Sequence, residues 1–428
     1  MECRIVHILG ISCFYHDSAA VLLHDGDLVA AAQEERYTRK KHDYGFPEHA
    51  ISYCLQQAGI TADDLDYVVF YEKPLPKFER ILMSSLGTFP RSWKVFREAM
   101  VAWLNEKLWI KGLLTDKLHV SSDKVLFVEH HLSHAASAFF ASPFTEAAVL
   151  TIDGVGEWTT TTLGRATASW QDGSLNRIDL TSEIRFPHSL GLLYSAFTAW
   201  LGFRVNNGEY KVMGMAPYGQ PRFMDKLDKL ITIHNDGSFW LDMDYFSYHY
   251  SPEHTYNRKF VELFGEPRRA ESEFFCATTG DDLTGREAAA ERNQYYADVA
   301  ASVQRLTEET ILKMARHLHQ QTGLDKLVMA GGVGLNSTAN GRLMRETPFK
   351  QVYIQPAAGD AGGALGAALY VYHVLLKRPR RFVMEHAFYG ESYSDNDCRQ
   401  FLQKAGVAYE FVEDEQRLAD MVSDALLK

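Results

Sequence analysis

Cysteine is scarce in this sequence: five residues in 428, Cys3, Cys13, Cys54, Cys276 and Cys398, far apart and without paired spacing. That excludes a disulfide framework or a cysteine zinc knuckle and points to reduced thiols in a cytoplasm. Long apolar runs are also missing. No stretch of 18 apolar residues occurs, and the N-terminus lacks the charged and apolar regions of a secretory leader, so no membrane partner is expected. Positive charge is in deficit, with 44 Lys and Arg against 55 Asp and Glu and a formal net charge of −11. This argues against nucleic acid as the main partner, while a local basic patch could still bind phosphate. What is present is the composition of a folded protein, 46% hydrophobic and 23% charged, in a chain long enough that two lobes are expected rather than one core.

The chemistry concentrates between His130 and Glu157. A short β-run, Val125 to Val128, leads into His130-His131-Leu132-Ser133-His134, and Ala135 to Phe140 reads as helix. On a helix His130 and His134 share a face. Ala147 to Ile152 reads as a buried strand, with Asp153 at its end before the Gly154-Val155-Gly156-Glu157 turn. Two imidazoles and a carboxylate can share one divalent cation, a set that suits Fe, Mn or Zn. With 17 histidines in the chain, about 0.6 such pairs arise by chance at helical spacing. Spacing alone is therefore a weak signal, which the phosphate-type turn after Asp153 strengthens.

Ile5 to Ile11, Ala19 to His24 and Leu28 to Gln33 read as strands, the last two joined by an Asp25-Gly26 hairpin turn. The loop from Ser12 to Ser18 is polar and carries His16. Arg39 to His42, with Lys41, is either a solvated charge run or a cationic site for phosphate. Asp66 to Tyr71 reads as strand and Pro74 to Lys117 as inserted helices. The pattern recurs about 140 residues on: Ala147 to Ile152, a ligand loop, Trp158 to Leu163, an Asp172-Gly173 turn, then Leu175 to Leu180. Duplicated lobes facing each other across a cleft are the layout of actin-like, sugar-kinase-like ATPases. Further on, Leu190 to Leu201 reads as an apolar helix and Gly202 to Gly219 as irregular loop. Residues 220–285 read as an insertion with a helix at Phe223 to Ile233, and Arg286 to Gln321 as a long helix. Leu327 to Ala330 feeds the turn Gly331-Gly332-Val333-Gly334-Leu335-Asn336, whose amides suit an anion or nucleotide. Asp360 opens a helix of small residues and is either its cap or a fourth metal ligand.

Together, Gly10 to Asp17, Glu34 to Pro47, His130 to His134, Asp153 to Glu157, Gly208 to Gly219, Gly331 to Asn336 and Gly359 to Gly363 resemble the carbamoyltransferase (NodU/CmcH) family. These enzymes carbamoylate hydroxyl groups of small natural products. The resemblance implies an α/β fold of duplicated actin-like (ASKHA, RNase H-like) lobes around a central cleft, with lobes at 1–145 and 146–380. It makes His130, His134, Asp153 and Asp360 the counterparts of the family's iron ligands. It puts His16 and Lys41 in the active-site loop and cationic cluster. Gly156, Glu157, Gly331, Gly332, Gly334 and Asn336 would line, with Asp153, the carbamoyl-adenylate site.

Family members continue into a YrdC-like domain that makes carbamoyl-adenylate from ATP and carbamoyl phosphate. Residues 381–428 resemble the opening of that domain, so the expectation is a fragment, a truncated product or half of a split enzyme, with the YrdC-like domain as partner in cis or trans. The reaction implied is carbamoyl transfer to a small-molecule hydroxyl acceptor. His16 is the candidate base, or a loop histidine that only binds phosphate. A small-molecule kinase of the same superfamily is the competing enzyme, which leaves His130 and His134 unexplained. An inactive remnant or partner subunit is the non-enzymatic alternative.

Overall fold

The computed structural model describes residues 5–105 and 107–427; Cys3 lies outside them. The other four cysteines are free thiols, all buried except Cys398.

Apolar runs make the first sheet. β1 (His7–Ser12), β2 (Ala19–His24), β3 (Asp27–Gln33), β4 (Tyr67–Phe70) and β5 (Val125–Phe127) lie in the order β3-β2-β1-β4-β5. β1 is central and buried almost throughout, as an unbroken apolar strand covered on both faces must be. It runs antiparallel to β2 and parallel to β4. Asp25 and Gly26, both at positive φ, turn β2 into β3 as a two-residue hairpin requires.

The second sheet repeats this plan. β6 (Glu146–Ile152), β7 (Thr159–Thr167) and β8 (Arg177–Arg185) come first. A small hairpin, β9 (Ile231–Ile233) and β10 (Phe239–Leu241), intervenes before β11 (Lys326–Ala330) and β12 (Gln351–Ile354). The order is β8-β7-β6-β11-β12, with β6 antiparallel to β7 and parallel to β11. Strand for strand, order and direction match the first sheet, so the chain is a duplicated α/β structure.

Each sheet's fifth strand leads to a helix of small residues: His130–Phe139 after β5 and Asp360–Tyr370 after β12. They pack directly on each other. A Cβ at Gly366 would fall 1.7 Å from the Ser133 carbonyl oxygen, and one at Gly10 would fall 2.0 Å from that of Ala364. Glycine at these crossings is what lets the two helices meet in one core with the first sheet. A second core fills the other face of the second sheet, under helices Leu190–Trp200 and Glu287–Thr322.

Three local expectations need correction. The third strand of the second lobe starts at Arg177, not Leu175, because Asp172 accepts from the Ser174 amide and holds Gly173–Leu175 in a turn. Within 202–219, Glu209–Met215 is helical despite Gly214: Val212 and Met215 are buried, and Gly214 sits on the open side. The helix expected at Phe223 to Ile233 is one turn, Met224–Leu227, after which β-branched Ile231-Thr232-Ile233 pair as strand with Phe239–Leu241. From Gly390 onward a second compact unit carries helices Asp395–Ala405 and Glu415–Leu426. No helix of the described residues is long and apolar enough to cross a membrane.

Candidate metal centre

The helix His130–Phe139 begins without a cap from its own N-cap side chain. Glu157 supplies one from the glycine turn. Its carboxylate accepts from the His130 amide at 3.1 and 3.2 Å and from the Lys73 amide at 2.8 Å. An anion on a helix N-terminus is favourable, and here it fixes the turn that carries the histidines. His130 and His134 then project side by side, Nε2 to Nε2 at 3.0 Å. His131 points elsewhere: its ring is held by Thr151 at 2.6 Å and by the Thr159 carbonyl at 2.9 Å, a satisfied core histidine.

Asp153 at the end of β6 and Asp360 at the start of its helix complete the group. His130 Nε2 lies 3.1 Å from Asp153 Oδ2 and 3.6 Å from Asp360 Oδ1; for His134 Nε2 these distances are 4.0 and 3.8 Å. All four residues are buried, with one donor atom each within 4.8 Å of the others. Donors about 2.1 Å from one cation lie about 3.0–3.4 Å apart in octahedral or tetrahedral arrangements, so the four could close on an ion with small shifts. Asp360 Oδ1 is buried and has no hydrogen-bond partner, and Asp360 is the first helical residue, with Gly359 at the N-cap. The donor set of two imidazoles and two carboxylates suits a divalent transition ion.

Charge tells the same story. Burial opposes a proton on His130, but the Asp360 and Asp153 carboxylates outweigh it and raise the imidazole to about 9. Burial and the His130 charge push His134 down to about 4. Burial disfavours ionised Asp153, yet His130 and His134 hold it well below the usual carboxylate range. Without a cation, the two carboxylates thus favour positive charge on His130, beside the place a cation would occupy. Glu72 approaches from behind, its Oε2 4.0 Å from His130 Nδ1.

Above this group a cleft of about 310 Å³ opens between the lobes. His16, Lys41, Asp153, Gly332 and Asn336 line it; Gly156, Glu157, Gly331 and Gly334 do not. Gly332 donates its amide to Asp153 Oδ1 at 2.8 Å. Gly331, at φ 93°, lies so close to the Ile152 carbonyl that no Cβ fits, and Gly156 packs against the His130 side chain. Gly334 is buried. The Asn336 amide pairs with Gln304 in both directions and caps the helix Ser337–Glu346. Lys41 lies 5.9 Å from the centre of the Tyr210 ring.

His16 sits between two carboxylates, with Nδ1 2.8 Å from Asp17 and Nε2 3.7 Å from Asp360. Burial works against its charge, but Asp360 and Asp17 raise it to about 9. Asp17, and His42 at the end of the Arg39 to His42 run, join this group. Asp17 Oδ1 also meets His42 Nδ1 at 2.6 Å, and His42 Nε2 reaches Asn207 in the second lobe at 3.2 Å. Asp17 (φ 53°) and His42 (φ 57°) are left-handed non-glycine residues, a backbone cost that concentrates at functional sites. The one available signal was adjacency: Asp17 follows His16 in a polar loop.

A protein-family model described as "Carbamoyltransferase N-terminus" matches residues 7–369. An uncharacterised protein of Synechocystis sp. is 49% identical over 425 residues, covering 96% of this chain and 65% of that protein. The nodulation protein NolNO of Sinorhizobium fredii is 32% identical over 383 residues, 88% of this chain and 49% of its own length. The nodulation protein NolO of Bradyrhizobium diazoefficiens is 29% identical over 301 residues, 70% of this chain and 47% of its own length. The chain spans about half to two thirds of the length of these curated relatives.

Proposed function

The chain belongs to the carbamoyltransferase family, whose N-terminal domain it matches over most of its length, and from that premise we propose that it transfers a carbamoyl group to a hydroxyl of a small natural product. The observation that carries this reading is the buried His130–His134–Asp153–Asp360 group, built from both lobes on the floor of the cleft. In this reading the lobes are actin-like (ASKHA, RNase H-like) and the ion is iron. The donor is carbamoyl-adenylate, made from ATP and carbamoyl phosphate by a YrdC-like domain that begins within 381–428.

A divalent ion there would supply Lewis-acid polarisation of the donor's oxygens. The chain's own residues do the rest. The acceptor hydroxyl attacks the carbamoyl carbon, the carbon–oxygen bond to the phosphate breaks, and AMP leaves with that electron pair. His16 Nε2 faces the cleft floor and, in the neutral form that its raised pKa makes the minor one near pH 7, takes the hydroxyl proton; Asp17 holds the other ring nitrogen and so fixes the tautomer. Lys41, which lines the cleft, offers a charge to the departing phosphate. The buried histidine pair favours transfer over phosphorylation, because phosphoryl transfer gives those imidazoles no task.

The test supplies pre-formed carbamoyl-adenylate and a panel of hydroxylated acceptors to the purified chain, with and without a YrdC-like domain in trans. Carbamoylated product, followed by mass spectrometry, is expected in both cases. With ATP and carbamoyl phosphate, product is expected only when that domain is added. ATP consumption that phosphorylates an acceptor without carbamoyl phosphate would favour a kinase instead.

A further inference from the structure

The helix Pro74–Gly87 is built inside out. Leu75, Met83 and Leu86 are 70%, 53% and 56% exposed, while Lys77 and Arg80 are 6% and 8% exposed. Soluble helices bury the apolar face and leave lysine and arginine in water. Here the two cations, three residues apart and so on one face, point inward. The Lys77 ammonium is satisfied: it pairs with the buried Glu72 carboxylate and lies 4.7 Å from the centre of the Tyr15 ring. Arg80 is not. Among the described residues none hydrogen-bonds or ion-pairs with its guanidinium, and its Nε is fully buried without a partner. The Phe186 ring, contributed by the second lobe, lies 5.0 Å away, while Tyr15 and the Glu72 and Glu157 carboxylates act on the guanidinium only through space.

The nearby carboxylates are taken. Glu72 is engaged by Lys77, and Glu157 by the Lys73 and His130 amides. A buried charge without a partner is costly, and proteins rarely keep one unless something binds it. Arginine offers five donors in a planar fork that matches an oxyanion two bonds at a time. Lys77 adds a second positive charge one turn along. Tyr15, against which Lys77 lies, lines the cleft, so the pair stands directly behind the proposed reaction site.

We propose that Arg80, with Lys77 beside it, is a binding subsite for an oxyanion: a phosphate, sulfate or carboxylate group gripped in bidentate fashion by the guanidinium. Its source is an acidic group on the acceptor or the phosphate of the donor. That choice rests on the carbamoyl-transfer reading, whereas the subsite itself does not.

The experiment titrates inorganic phosphate and, separately, AMP into the full chain, comparing wild type with Arg80→Met and Arg80→Lys by calorimetry and thermal melting. Arg80→Met is expected to lose phosphate affinity at least tenfold, and Arg80→Lys, which keeps the charge but not the fork, to fall between. Without anion, Arg80→Met should melt no lower than wild type, since it removes an unpaired buried charge; phosphate should raise the melting temperature of wild type alone. If AMP competes with phosphate, the donor supplies the oxyanion; if both bind together, the acceptor does. Equal phosphate affinity in wild type and Arg80→Met overturns the proposal. So does an Arg80→Met melt well below wild type with phosphate raising both equally, the mark of an arginine that merely packs on Phe186. Metal content, measured on the same samples, should not change, which separates failure of this subsite from failure of the metal centre.

Discussion

Gly366→Ala tests how the fold builds the site without touching a single ligand. The added Cβ would lie 1.7 Å from the Ser133 carbonyl oxygen and 2.9 Å from the Ser137 amide nitrogen. The first distance is about 1.3 Å short of the 3.0 Å below which Cβ contacts are essentially never found. Both atoms are backbone, so no side chain can swing aside, and the two small-residue helices must move apart. One carries His130 and His134, the other Asp360, now 3.6 and 3.8 Å from those imidazoles. Metal–ligand bonds tolerate only about 0.2 Å, so separation on this scale should release Asp360 from a shared ion. The overpacking should cost about 1–3 kcal/mol of stability, and metal affinity should fall at least tenfold, about 1.4 kcal/mol. Gly214→Ala is the control. It lies in the helix Glu209–Met215 with nothing within 4 Å of an added Cβ, and should be neutral or stabilising by up to about 1 kcal/mol. Melting curves and competition with a chelator read both quantities. A Gly366→Ala protein that melts and binds metal like wild type would refute the claim that close helix approach assembles the centre.

Protein purified without chelator should contain about one divalent transition ion per chain by elemental analysis, and His134→Ala should lose it; wild-type metal content in that variant contradicts the ligand assignment. Gly332→Val places a branched side chain where even a Cβ sits 3.0 Å from Asp153 Oδ1, so binding of an adenine nucleotide should be abolished, and unchanged affinity in calorimetry would remove this turn from the site. His373 is buried and stacked on Phe140, and burial lowers it to about 4. Unfolded chains bind that proton from about 6.5 downward, so folding stability should fall as pH drops from about 6.5 towards 4, by about 3 kcal/mol. His373→Leu should lose that part of the acid dependence, and an unchanged slope of stability against pH would rule His373 out as its source.

Much of the scaffold was legible because its strands are continuous apolar runs broken by glycine turns, as in β1, β2, β6 and β11. Their repeated spacing exposed the duplication. The histidine pair was legible from its four-residue spacing, but its partners were not equal in this respect. Asp153 announced itself at a strand end, whereas Asp360 read equally well as a helix cap; its place as first helical residue after a Gly359 N-cap and its unpartnered buried oxygen separate the two. The family resemblance placed Glu157 at the carbamoyl-adenylate site; in the fold it caps the histidine helix and is not among the residues lining the cleft. Asp17 escaped, and His42 was legible only as the end of a cationic run, because left-handed loop residues follow no periodicity that would pair them. Lys77 and Arg80 escaped for the opposite reason: their helix has a clear apolar stripe, and the normal inference buries that stripe. At Glu209–Met215 tertiary burial overrode glycine content, which local propensity cannot foresee.

The most direct test of the account follows carbamoyl transfer by the purified chain from pre-formed carbamoyl-adenylate, before and after the metal is stripped and restored. The account predicts an acceptor heavier by one carbamoyl group, loss of that product on stripping, recovery on adding back a divalent ion, and no product from His16→Ala or Asp360→Ala. Product formation that is indifferent to metal removal and to both substitutions would contradict it.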